Sequence, residues 1–171
     1  VMGATQLNAM SSAQLQAIET ADVAALTTAQ VSKLGTAAIS NLSDEQVTAL
    51  TSAQFASLGA TQLNVMSTAQ VNAIDTIDIA AISTAQIAKL SSDFVSSLST
   101  EQTASLTTSQ VASLSSVAVS ALSDEQVTAL TSAQFASLSA TQLNVMSSAQ
   151  VDAIDTIDIA AISTAQIAKL S

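Results

Sequence analysis

The chain contains no Cys, His, Pro, Trp or Tyr, three Gly and three Phe, and charged residues are 9% of its 171 residues. These absences remove whole classes of function. Without His or Cys, the usual general base, thiol nucleophile and metal ligands are missing. Ser is abundant, yet no base stands beside it, and no Gly-rich phosphate loop occurs. Lys33, Lys89 and Lys169 occupy equivalent places 56 and 80 residues apart, which marks repetition and not one active site. The chain is therefore read as a non-enzyme with no cofactor. A net charge of −10 argues against nucleic acid and against anionic membranes as partners. Apolar residues reach 49%. No run of them approaches the roughly 20 residues of a membrane span, so insertion into a membrane is not expected. Lack of Cys suits a secreted chain that needs no disulfide.

What the sequence does contain is one phrase repeated. With Leu42 of LSDEQVTAL as position one of an eight-residue unit, position one recurs 22 times from Met2 to Leu170, always as Leu, Ile or Met. A fixed repeat decides the architecture before any other feature. Position two is Ser, Thr, Asp or Gly in 21 of 22 cases, with Glu19 the exception. These residues cap helix N-termini, because a short side-chain oxygen accepts an orphan backbone N–H. Position five is Gln in 15 of 21 octads and Asp in three more. Ser-x-x-Gln is the capping box, and the apolar residues at positions one and six form the hydrophobic staple around it. The caps include the pairs Ser43 and Gln46, Thr51 and Gln54, and Ser123 and Gln126. Twelve of 13 acidic residues fall at positions two to five, and every Lys falls at position eight, as the helix dipole favours.

A single long helix is excluded. At about 100° per residue, position one would drift about 80° per octad and spiral around the axis. A strand reading places positions one and six on opposite faces. Gln and Ser ladders leave a β-solenoid or cross-β fibre as the alternative. One octad cannot hold itself folded on one Leu and one Val, so neighbours must share walls. The expectation is an all-α solenoid of very short helices, one per octad, coiled into a rod. Its core is expected to hold Leu42, Val47, Leu50, Phe55 and Leu58, with Leu122, Val127, Leu130, Phe135 and Leu138 in the copied block. The four Met all stand at position one and are read as core, and Phe94, where Gln is usual, as the filling of a neighbouring gap.

Residues 1–171 read as one continuous array of about 21 octads with no linker. Both ends cut through an octad and carry no polar capping repeat, which suggests a piece of a longer array or a subunit stacking end to end. Residues 42–90 recur almost unchanged at 122–170, and residues 3–34 resemble 59–90, so blocks were copied in whole octads. The nearest approach to a special site is NAIDTIDIAAI at 72–82 and its copy at 152–162. Asp75, Asp78, Asp155 and Asp158 there are weak candidates for a calcium site. The favoured reading is that Asp replaces Ser and Gln in the capping box, since calcium needs six or more oxygens.

The octads LTTAQVSK at 26–33, LTSAQFAS at 50–57 and ISTAQIAK at 82–89 resemble the Leu-[Ser/Thr]-x-x-Gln-[Val/Ile]-x-Ala arrays of very large secreted or surface bacterial proteins, of the adhesin and biofilm-matrix kind. That resemblance implies a structural role at the cell surface or in an extracellular matrix. The expected function is a filament, stalk or matrix fibre built by solenoid stacking, with the chain itself as partner, end to end and laterally through small outward Ala and Ser. The alternative is a module presenting rows of Ser, Thr and Gln to a glycan, ice or mineral surface.

Overall fold

The structure, a computed structural model, describes residues 3–170. Val1, Met2 and Ser171, and with them the core position expected at Met2, lie outside the described residues. Among the described residues there are 21 α-helices of four to six residues each and no strand. The β-solenoid and cross-β alternatives are therefore replaced by helix throughout. The physical reason is local: a capping residue restarts a helix every eighth position, and the Ala- and Gln-rich filler favours that turn over an extended chain.

All 21 N-cap residues stand at position two, from Gly3 to Ser163, with extended backbone such as φ −74°, ψ 163° at Ser43. The helix that follows closes on position one of the next octad, whose N–H bonds the position-six carbonyl, as Leu50 does to Val47 at 3.0 Å. One extended step between single helical turns thus makes each corner. No described residue has a positive φ. The three Gly are accordingly not needed for conformation, and Ser139 fills the place that Gly59 holds one block earlier.

The chain divides after Ile82 into two compact units, although the octad frame runs through that point without a break. The first holds α1 (Ala4–Asn8), α2 (Ser12–Gln16), α3 (Thr20–Ala24), α4 (Thr28–Val31), α5 (Thr36–Ser40), α6 (Asp44–Thr48), α7 (Ser52–Ser57), α8 (Ala60–Leu63), α9 (Thr68–Asn72) and α10 (Thr76–Ala81). The second holds α11 (Thr84–Ile87), α12 (Ser92–Ser96), α13 (Thr100–Ser105), α14 (Thr108–Ser113), α15 (Ser116–Ser120), α16 (Asp124–Ala129), α17 (Ser132–Ser137), α18 (Ala140–Leu143), α19 (Ser148–Asp152), α20 (Thr156–Ala161) and α21 (Thr164–Ile167). Within the first unit α3 packs on α6, α4 on α7, α5 on α8, α6 on α9 and α7 on α10, while α1 meets α5. Within the second, α11, α12, α13, α14, α15, α16 and α17 each pack on the helix three further along. Each unit is an α-solenoid, and its coil takes more than three octads.

Positions one and six fill the interior of both units. Position six is buried from Leu7 to Leu143 and position one from Leu34 to Leu138. Leu42, Val47, Leu50, Phe55 and Leu58 lie in this core of the first unit. Leu122, Val127, Leu130, Phe135 and Leu138 lie in that of the second. Met66 is buried, Met10 and Met146 are half-buried, and Phe94 is buried. Thr103 is fully buried at position six, where every neighbouring octad has a hydrocarbon. Its hydroxyl donates to the Ser99 carbonyl at 2.8 Å, which already accepts the Thr103 N–H at 2.9 Å. Thr103→Val therefore leaves no acceptor unpaired and adds an apolar methyl. Urea unfolding should show a gain of about 1 kcal/mol.

Candidate functional site: a glutamine ladder between coils

The feature that distinguishes this solenoid is the use of both ends of the position-five side chain. Gln46 accepts the Ser43 N–H on Oε1 at 3.0 Å, and Ser43 Oγ accepts the Gln46 N–H at 3.2 Å, which completes the capping box. Its Nε2 then donates to the carbonyls of Leu15 and Ile18, both at 2.8 Å, 31 and 28 residues earlier. Those carbonyls belong to the C-terminal end of a helix in the preceding coil. The amide thus caps the start of its own helix and the end of another.

The pattern repeats with the same two offsets. In the first unit Gln62 reaches Val31 and Leu34 at 3.0 and 2.8 Å, and Gln70 reaches Ile39 and Leu42 at 2.9 and 2.8 Å. Gln54 reaches Val23 and Leu26 at 3.1 and 2.7 Å. In the second unit Gln126 reaches Val95 and Leu98 at 2.9 and 2.7 Å, and Gln134 reaches Leu106 at 2.6 Å. Gln142 and Gln150 bond in the same way to Val111 and Leu114 and to Val119 and Leu122. Offsets of 28 and 31 carry the position-five amide to position one of the octad three back and to position six of the octad four back. These Gln side chains are buried, with Gln46 and Gln54 each 2% exposed. Gln6 and Gln14, by contrast, are exposed.

The sequence pattern identified Ser43, Thr51 and Ser123 with Gln46, Gln54 and Gln126, and the structure places them at N-cap and third helical position of α6, α7 and α16. What it did not identify was the second bond of each amide. No spacing within an octad encodes it, because the partner stands more than three repeats away.

The Asp pairs depart from the capping-box reading. Asp75 and Asp155 are N-caps, but neither side chain makes a cap hydrogen bond. Asp78 and Asp158 are buried, with 4% and 5% exposure, and turn to the preceding coil. Ser52 Oγ donates to Asp78 Oδ1, and Ser132 Oγ donates to Asp158 Oδ1 at 2.5 Å. The reason is length and charge. Asp is one methylene shorter than Gln and has no N–H to offer the carbonyls, so it seeks a hydroxyl instead. Burial raises the Asp78 carboxyl above the ordinary range; the Ser52 hydrogen bond opposes this, and the Asp75 charge adds to it. Among the described residues, no group of three or more acidic side chains is arranged to hold a metal ion. Glu45, Glu101 and Glu125 lie in first turns. Hydrogen bonds from their own backbone, and next from the cap hydroxyls of Ser43, Ser99 and Ser123, hold them below the usual carboxylate range. No described helix is long and apolar enough to cross a membrane.

One helix per octad, a common inter-coil bond and a core of two positions define a repeat protein of the α-solenoid class. The chain belongs to the ALTTAQ repeat family, which matches residues 15–52, 71–108 and 104–140, together more than half of its length. No curated protein and no solved structure matches it.

Proposed function

We propose that this repeat protein is a structural element that self-associates into a filament, stalk or matrix fibre, outside the cell or on its surface. The ladder is the observation that supports this. The bonds that tie Gln46 to Leu15 and Ile18 recur with the same offsets from Gln126 to Val95 and Leu98, so one coil is joined to the next by one rule. An interface that repeats by translation and rotation without closing has no built-in stop, which is the property of a fibre and not of a compact oligomer. The resemblance to surface and matrix arrays, and a composition that needs no disulfide, support the extracellular placement.

Electron microscopy of the purified chain at high concentration is the test. Filaments should appear with an axial spacing of about 8–10 Å between packed helical layers. Particles of single-chain size at every concentration would remove self-association and leave the chain as a spacer.

A further inference from the structure

We infer that the outward faces of α10, α15 and α20 dock laterally on a second copy of this chain. This rests on the self-association reading above and names its interface. Among the described residues, position four is exposed in all 21 octads, from Thr5 to Ala165. In 18 of them it holds Ala, Ser, Thr, Asp or Glu, as suits a helix position that faces water. The other three are Ile77, Val117 and Ile157, which stand 40 residues apart, at every fifth octad. They are 69%, 67% and 72% exposed. Ile77 and Val117 lie far from either end of the sequence, so this exposure belongs to the position within the octad.

Two of the three helices are inverted. In α10 the aliphatic Ile77 faces water while its neighbour Asp78 is 4% exposed, and in α20 Ile157 and Asp158, 5% exposed, repeat the arrangement. Exchanging the two residues would suit both preferences. Phe94 and Ala118, buried at position five, show that an apolar side chain fits there. A helix that buries its acid and exposes its aliphatic breaks the binary pattern that the other octads keep. Such breaks mark surfaces held for contact.

The chemistry of the face selects its occupant. Ala80 and Ala81 lie on the same side of α10 as Ile77, at i+3 and i+4, and Ala160 and Ala161 accompany Ile157 in α20. The outward positions three, four, seven and eight carry no charge in these two octads or in that of Val117. A chain of net charge −10 can meet its own copy there without setting acid against acid. One aliphatic and two small side chains cover far less than the roughly 1,200–2,000 Å² of a stable interface, so one face alone is too small to hold a partner. Binding then needs several faces at once, on a partner that repeats at the same interval. A second copy has that interval of 40 residues in its own sequence, which makes it the occupant.

The triple variant Ile77→Ser, Val117→Ser and Ile157→Ser removes the aliphatic side chains without adding charge. Ala13→Glu with Ala29→Glu is the control, because it alters position four in octads that have no outward aliphatic. Circular dichroism should show unchanged helicity for both, since every altered side chain is exposed. Sedimentation at rising concentration should show the parent and the Glu control above a single 17.2 kDa chain, and the triple variant at one chain throughout. Ile77→Ser alone should raise the concentration needed for association by about tenfold. If the triple variant associates like the parent, or the control disperses as fully, the lateral face is overturned and self-association runs through another surface. A parent that stays at one chain overturns both readings. Should that single chain bind a hydrophobic dye that the triple variant does not, the face belongs to a different partner.

Discussion

Gln126→Leu should destabilise the second unit by about 3–5 kcal/mol, although the two side chains are close in volume and Leu is the better core residue. Three backbone groups lose their partner at once: the Ser123 N–H, which donates to Oε1 at 2.8 Å, and the carbonyls of Leu98 and Val95, which accept from Nε2 at 2.7 and 2.9 Å. Val95 keeps the Leu98 N–H at 3.2 Å, so its loss is partial. Each buried backbone group left without a partner costs about 1–3 kcal/mol. Against a typical domain stability of roughly 5–15 kcal/mol, this is a large share of the whole. Gln14→Leu is the comparison that separates ladder from cap. Among the described residues Gln14 makes the capping box with Ser11 and no bond to another coil, so its loss should cost about 1 kcal/mol. Urea titration followed by circular dichroism measures both. Equal losses would mean that the inter-coil bonds contribute nothing beyond the cap.

Asp78→Gln should have the second-largest effect and the opposite sign, a gain of about 1–3 kcal/mol at pH 7. By the common offsets, a Gln at 78 stands opposite the carbonyls of Val47 and Leu50 and can close the capping box on the Asp75 N–H, which the Asp does not do. It also removes a buried charge. Because burial raises the Asp78 carboxyl, the folded protein holds that proton more readily than the unfolded chain. The parent's stabilisation from this group is complete below the unfolded carboxylate value of about 3.9 and is lost as pH rises through the higher folded value. The advantage of Asp78→Gln should therefore be largest at neutral pH and should shrink on acidification. Glu45, Glu101 and Glu125 act in the other direction. Their lowered values give a contribution that is present above the unfolded value and lost as pH falls through the folded one. Thermal unfolding of parent and variant between pH 3 and pH 7 isolates the Asp78 share, since the three Glu are common to both. A gain that grows toward acid would contradict the buried-carboxylate account.

The helices, their starts and their core positions were legible because each is decided within one octad. Ser43, Gln46 and Val47 lie within five residues of one another, so cap, capping box and staple follow from spacing. The unvarying frame of Leu, Ile and Met marks a repeat array with no help from structure. What joins the coils was not legible. The bond from Gln46 to Leu15 spans 31 residues, and nothing in an eight-residue unit states how many units return the chain to its own flank. Asp78 shows the same boundary. Its place in the capping-box spacing suggests a cap partner, but a side chain one methylene shorter cannot do the work of Gln. Only the arrangement of coils shows that Ser52 is the hydroxyl it finds. The octad by itself determined that short helices form, where each begins and which two positions are buried, because those are local balances of capping and burial. The tertiary structure decided the size of the coil and the second role of each glutamine, because both depend on which distant carbonyls the folded chain brings within reach of one amide.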